Sequence, residues 1–566
     1  MNQHVTLQTA EPRTLADVRL AVEIAPGLSP IRRRDLLSSL STAERWLNRP
    51  LGDIPTEMVF LRQALGDLHH VQLGVTRKRR DNVLSGLKAA FALAAPPERK
   101  TRHRAERTPE WQQRLASLPD EWNRHRLAGL ATFCSAEGIS SDDVDDTVLE
   151  RYRVHLSATN LRKDPDAVCK LTIYTWNRSI DDGIVPAAQR LTVPRSDKHW
   201  TIPLAEFPES FQEDLDAWLD CLAHVDRFSS KGPTRALRSI SIENIRVAIR
   251  RAASALVMMG EPRETITSLA CLTDPAQFKS ILQFFINRND GEVPTSLYGL
   301  ASKIVAIARH HVGLIGEPLE ELMLYSSRVK ISRSGMTEKN KARLGQFEDP
   351  KNVARLLRLP LEIEERVKAK PAPSSWDALD MMIAVAVEIL LACPMRVSNL
   401  ASLDLQRHFT WRGQGNPRRA TLTIPGAETK NGVAIECDLP RETSRLIWSY
   451  VTRYRHLVSA APGDWLFPNR SGTGQRRPGA LSNHIFRTIH RETGLTVNAH
   501  LFRHLAGMLY LMRRPGHYET VRQILGHRSV NTTTAFYTGL ESKWAIKHYD
   551  ETILADRGWV LDFEEK

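Results

Sequence analysis

Apolar residues recur at three- and four-residue spacings through most of this chain, and one short stretch breaks the rhythm with alternating apolar and polar residues. The first spacing buries one face of an α-helix and the second one face of a β-strand, so the fold expected is mainly α with a small antiparallel sheet. At 566 residues the helices exceed what one hydrophobic core usually supports, which implies several domains. Three stretches share a helix–turn–helix–turn–helix pattern: LLSSLSTAERWL to TRKRRDNVLSGLKAAFALA, RLAGLATFCSAEGI to DPDAVCKLTIYTWN, and IRVAIRRAASALVMMG to TSLYGLASKIVAIARHH. They predict helical modules over 31–108, 109–235 and 236–325 after an N-terminal tail of 1–30; one continuous helical domain is the alternative. SSRVKISRSGMTEKNKARLGQ has few apolar anchors and reads as part of a basic linker over 326–370. The remainder, 371–566, is then a mixed α+β, mostly helical domain. In it TLTIPG and VAIECDLP, joined by AETKNG, predict a hairpin.

Lys and Arg outnumber Asp and Glu by 78 to 65, a formal net charge of +13, which favours a polyanionic partner and makes nucleic acid the first candidate. Arg77, Lys78, Arg79 and Arg80 open one helical segment, and Arg328 and Lys330 open the basic stretch, so these six are candidate phosphate contacts. The longest apolar run, Met381 to Cys393, is interrupted by Glu388 and is too short to span a bilayer, so a buried helix is expected and no membrane partner. The N-terminal segment lacks the pattern of a secretory signal, and a cytoplasmic protein is expected. The six cysteines are dispersed without a C-x-x-C pair, which suggests neither a disulfide framework nor a cysteine zinc site.

The segment VNAHLFRHL places His500 and Arg503 three residues apart, behind Asn498 as helix cap. Free backbone N–H groups, the positive end of the helix dipole and the guanidinium fork together suit a phosphate. His500 and His504 could instead share a metal ion. The zinc-protease pattern H-E-x-x-H, however, needs a glutamate where Leu501 stands. Elsewhere, CPMRVSNLASLDL sets Arg396 just after the Pro394 break, beside apolar Val397, Leu400 and Leu403. Downstream, ETVRQILGHRSVNTTTAFYTG carries Gly526, His527 and Tyr537.

Over about residues 375 to 545 these segments together resemble the tyrosine recombinase, or phage integrase, family. PMRVSNL resembles its first arginine motif, His500-Leu-Phe-Arg503 its His-x-x-Arg motif, and Leu525-Gly526-His527 its Leu-Gly-His box. Tyr537, ten residues past that histidine, falls where the family's nucleophile does, and TKNG puts Lys430 on the hairpin that carries the family's lysine. The chain departs from the family pattern at Pro394, where Gly is frequent, and at Asn399, where an acidic residue often supports the arginine.

The resemblance implies a DNA strand transferase acting on double-stranded DNA as a homo-tetramer on paired sites, alone or with other recombinases, in the integration or excision of a mobile element. Attack by a phenol oxygen adds negative charge to a phosphodiester, and Arg396 and Arg503 would compensate it. His500 would accept the phenol proton, His527 would bond the phosphate, and Lys430 would protonate the departing 5′-oxygen. No cofactor and no metal are expected. The resemblance also implies a DNA clamp, for which 236–325 is the candidate, while the two earlier modules would bind accessory DNA or partners and the C-terminal segment would either pack on a neighbouring protomer or form an ordinary closing helix. Two rival readings stay open: a type IB topoisomerase-like enzyme, which reseals the original strand, and a non-cleaving factor that uses 519–539 as a helix-turn-helix.

Overall fold

The computed structural model describes residues 12–66, 68–94, 106–161, 164–184, 189–193, 200–224, 235–331, 335–413, 419–461, 463–531, 533–537, 546 and 549–550. They fall into two compact units, one drawn from Met1–Leu191 and Ser334–Lys566, the other from Thr192–Arg333.

In the first unit, helices α1 (Leu15–Ile24), α2 (Pro30–Leu47), α3 (Met58–Gly66) and α4 (Arg77–Ala94) enclose a core that includes Leu15, Val18, Leu36, Leu40, Leu61 and Leu87. Helix α1 corrects the expectation of a tail over 1–30. Thr14 and Asp17 form a reciprocal capping box at its start, and Leu15, Val18 and Val22 fall on one buried face. Helices α2 and α4 approach closely at Gly86, where a Cβ would collide with the Ser39 hydroxyl. Helices α5 (Pro109–Ala116), α6 (Glu121–Glu137), α7 (Asp146–Thr159) and α8 (Pro165–Asp181) follow, with the buried Trp111 and Trp176 rings 6.2 Å apart.

The second unit packs α9 (Glu209–Ala223), α10 (Ser239–Met258), α11 (Pro275–Asn287), α12 (Leu297–Ile307) and α13 (Glu317–Arg328) around one core. The sequence pattern alone starts this group at 236 and places α9 in the preceding module. The stripe Phe211, Leu215, Trp218, Leu219 and Leu222 is buried in the same core as Ala252, Phe278 and Leu300, so α9 belongs here.

The remainder of the first unit is the C-terminal body. The reading of 326–370 as a linker fails beyond residue 335: α14 (Glu338–Gly345) and α15 (Pro350–Lys368) bury Leu344, Leu356, Leu359, Ile363 and Val367 in the C-terminal core. Their apolar stripe is diluted by surface charges, which is why the stretch looks polar in sequence. Glu364 of α15 is itself buried, and its carboxylate receives both guanidinium nitrogens of Arg445 at 2.7 and 2.6 Å.

At the centre lies α16 (Ser375–Ala392), where every residue from Met381 to Val387 is buried. The charge within its apolar run, Glu388, accepts the Thr443 hydroxyl at 2.7 Å, and burial raises its pKa. Among the described residues no helix is long and apolar enough to cross a membrane. A short helix α17 (Val397–Ala401) leads to strands β1 (Phe409–Arg412), β2 (Arg419–Ile424) and β3 (Ile435–Asp438), antiparallel in that order with Leu422 opposite both Phe409 and Cys437. Helices α18 (Arg441–Arg453), α19 (Arg455–Val458), α20 (Pro478–Thr493), α21 (Leu501–Arg513) and α22 (Tyr518–Leu525) complete the body, with 530–531 and 533–537 also helical. The C-terminal segment expected to meet a neighbouring protomer lies almost wholly outside the described residues.

Candidate active site

Helix α21 starts at Leu501, two residues later than a cap at Asn498 implied, with His500 in the cap position; the Asn498 side chain accepts the Leu501 N–H at 2.9 Å from the turn that precedes it. Leu501, Phe502, Leu505, Met508 and Leu511 anchor it in the core, which holds Arg503 in a fixed place. The Arg503 guanidinium is buried and donates to two main-chain carbonyls, that of Pro394 at 2.8 Å and that of Leu525. The second lies in the last turn of α22, where carbonyls lack helical donors and the dipole is negative. Arg503 thus joins the Pro394 break to the end of α22. Burial and the neighbouring Arg396 charge pull its pKa down to about 10, which leaves it protonated at neutral pH.

Arg396 caps α17, is half-buried, and donates to Asn431 Oδ1 at 3.2 Å. Asn399, standing where an acidic support was anticipated, is buried and accepts instead from the Ser398 hydroxyl at 3.3 Å. Among the described residues neither Arg396 nor Arg503 forms an ion pair with a carboxylate. Two partly desolvated cations side by side are costly unless an anion joins them.

Around this pair stand three imidazoles. His500 lies at the head of α21 with an exposed edge, and burial together with both arginines lowers its pKa. His504, one turn on, is buried, sets its ring edgewise to His500 at 5.2 Å and packs on Phe536. His527 follows Gly526, whose φ of 58° ends α22 in the left-handed region. Its Nδ1 is 2.9 Å from the buried Thr533 hydroxyl; when that hydroxyl donates, Nε2 carries the ring proton. Among the described residues no group of three or more His, Cys, Asp or Glu side chains is placed to hold a metal ion.

His504 and His527 are both pulled down to about 4, chiefly by burial and then by neighbouring positive groups. Each is neutral in the folded chain at pH 5 to 7, whereas an unfolded imidazole takes up its proton below about 6.5. The stability they confer is therefore complete above pH 6.5 and is lost as pH falls from there towards 4, on the order of 3 kcal/mol for His504. Urea melts at neutral pH and near pH 4.5 should show this acid loss, and a smaller one in His504→Gln. Equal acid losses in the two chains would remove His504 as its source.

Tyr537 is brought to the cluster by its own chain. Its ring is almost fully buried, and its hydroxyl donates to the Arg503 carbonyl at 3.3 Å. The space it occupies exists because residue 507 is glycine: a Cβ there would stand 2.3 Å from the phenol oxygen. Burial pushes the phenol pKa up, and the Arg503 charge opposes that rise. Lys430 is exposed on the turn between β2 and β3. The structure thus gathers Arg396, His500, Arg503, His527 and Tyr537, and the Lys430 turn is tied to them through Asn431.

The candidate phosphate contacts lie elsewhere. Arg77, Lys78 and Arg79 are exposed in the first turn of α4, where positive charge is unfavourable to the helix itself. Arg80 departs from expectation: it donates to the Leu65 and Leu68 carbonyls at 3.2 and 2.9 Å, closing the end of α3. Arg328 is exposed in the last turn of α13, and the Lys330 ammonium lies 5.7 Å from the centre of the Tyr298 ring. Sequence reasoning missed Asn431, Gly507 and Thr533, whose roles arise only from contacts made across the fold.

A sequence profile of the phage integrase family matches residues 362–543. Tyrosine recombinases XerD of Pseudomonas putida and Pseudomonas aeruginosa are each 26% identical to this chain, over 172 and 166 residues, 29% of this chain and 52% of theirs. The chain thus spans about half the length of the curated relatives it matches. Among solved structures, a lambda integrase dimer bound to a COC′ core site is 14% identical with a TM-score of 0.34, covering 57% of this chain and 94% of that one. XerH bound to a difH substrate is also 14% identical, with a TM-score of 0.32 over 68% and 90%. Over residues 362–543 the chain is thus similar to the tyrosine recombinases of the phage integrase family.

Proposed function

We propose that this protein is a site-specific DNA recombinase that cuts and rejoins duplex strands through a covalent 3′-phosphotyrosyl intermediate, in the integration or excision of a mobile element. The observation that carries this reading is the pairing of Arg396 with Arg503, without a carboxylate, beside a tyrosine whose hydroxyl rests on the Arg503 main chain. A phosphodiester supplies the missing negative charge, and its non-bridging oxygens gain more from the two guanidinium groups as attack proceeds. The phenol oxygen forms a bond to phosphorus, the bond from phosphorus to the 5′-oxygen breaks, and the phenol proton passes to His500. His500 is suited to accept it because its lowered pKa leaves it neutral at pH 7. His527 donates to a phosphate oxygen through Nε2. A 5′-hydroxyl of another strand then attacks phosphorus, releasing Tyr537 and restoring a phosphodiester without ATP.

Lys430 supplies the proton that the departing 5′-oxygen needs. Lys430→Ala should slow cleavage of ordinary DNA about a hundredfold, within the usual range for a general acid, yet hardly slow it on a duplex with sulfur at the bridging 5′ position, which leaves without one. Equal slowing on both duplexes would place the acid elsewhere.

The duplex is gripped in part by the helical unit Thr192–Arg333, and exposed Arg77, Lys78, Arg79, Arg328 and Lys330 contact its backbone. Four copies act on paired sites. The decisive experiment incubates the full chain with nicked suicide duplexes randomised across the recognition region, recovers covalent adducts and maps the modified peptide. Attachment at Tyr537 is expected, and product topology on two-site DNA then separates strand exchange from resealing. Adducts at another residue, or none, would overturn the reading.

A further inference from the structure

The turn that carries Lys430 is held at its neighbour. Asn431 Oδ1 accepts from Arg396 Nη2 at 3.2 Å, and its Nδ2 donates to the Gly526 carbonyl at 3.1 Å. The Asn431 carbonyl in turn accepts from Arg528 Nε at 2.7 Å. Three bonds from segments 35 and 95 or more residues away therefore converge on one residue. On the other side of Lys430, the buried Thr429 hydroxyl lies 3.0 Å from the Gly426 carbonyl and 2.8 Å from that of Val433, closing the loop on itself. The Lys430 main chain is pinned on both sides while its side chain stays exposed.

A plain turn-forming role explains Asn431 poorly. Asn before Gly is favoured in tight hairpins because it tolerates the left-handed region, yet here Gly432 takes that conformation, with φ of 71°, and Asn431 does not. Its two-ended chemistry is what the position uses. The end facing Arg396 must accept, and the end facing the Gly526 carbonyl must donate, which a neutral amide does and a carboxylate does not.

We propose that Asn431 is a positioning residue: it fastens the β2–β3 turn to Arg396 and to the end of α22, so that Lys430 and Arg396 address the same phosphate. This rests on the recombinase reading for its chemistry, but the fastening itself can be measured without DNA. Asn431→Ala should slow adduct formation on ordinary suicide duplexes about tenfold to a hundredfold, the scale of a roughly 1 Å misplacement. On duplexes with bridging 5′-sulfur the loss should shrink markedly, and the K430A/N431A chain should be little slower than K430A on ordinary DNA, since the two act as one unit. N431D, which keeps the acceptor and loses the donor, should fall with N431A.

Equal slowing on both duplexes, or losses that multiply in the double variant, would overturn the proposal. Hydrogen exchange over 429–433 in the DNA-free protein decides the fastening separately. Faster exchange in N431A, with the exchange of α16 unchanged, is expected; an unchanged turn would overturn it even if catalysis fell. If the unaltered chain forms no adduct at Tyr537, the recombinase reading fails, and the exchange result still stands for or against the clasp.

Discussion

Tyr537→Phe is expected to bind duplex DNA as the unaltered chain does and to form no covalent adduct at all. The phenylalanine ring fits the same space over Gly507, and the only atom removed is the oxygen that would attack. The lost hydrogen bond to the Arg503 carbonyl costs about 1 kcal/mol, too little to unfold the body. Binding measured by mobility shift and adducts measured on denaturing gels separate the two properties. An adduct persisting in this variant would assign the nucleophile elsewhere.

Arg503→Ala should lose both rate and stability, and the two losses have separate origins. Removing a preorganised cation from a developing phosphate charge costs roughly a hundredfold to a thousandfold in cleavage. The Pro394 and Leu525 carbonyls lose their donor as well, at about 1 to 3 kcal/mol for each left buried and unsatisfied. Arg503→Lys should keep the charge and still destabilise the fold, since an ammonium cannot reproduce the planar fork that reaches both carbonyls. Arg396→Ala provides the contrast: Arg396 is half-buried with one amide partner, so a similar rate loss should come with a smaller fall in urea stability. If Arg503→Ala melted like the unaltered chain, the bridging role of its guanidinium would be wrong.

What could be read from the sequence was the local part of this arrangement. His500 and Arg503 share a helix start, and the alternation of TLTIPG and VAIECDLP is itself strand chemistry. Arg396 and Tyr537 could be named only because four short motifs occur in family order. The misreadings have a common cause. In α1 and α9 charges are as many as the buried positions, and in α14 and α15 they outnumber them, so composition suggests tail, module edge or linker while the spacing of Val18 with Val22, or of Leu356 with Ile363, carries the helix. Arg80 looked like its exposed neighbours because nothing local reveals that the Leu65 carbonyl in the last turn of α3 and the Leu68 carbonyl just beyond it await its guanidinium. Thr533 and Gly507 were invisible for the same reason: one is defined by the His527 ring and the other by the Tyr537 ring, each brought in by tertiary folding.

The sheltered phenol over Gly507 has a further consequence for how such an enzyme would treat the many phosphates it meets. If Tyr537 attacks as proposed, moving its ring out of the niche towards a phosphate would give up a hydrogen bond and much of an aromatic side chain's burial, so the attacking form would be a small minority of the unbound population. A duplex that merely stuck to basic side chains would leave that minority unchanged, and its backbone would stay intact. Only a site whose contacts favour the extended phenol by several kcal/mol would be nicked, so discrimination between addresses is enforced at the blade as well as at the grip.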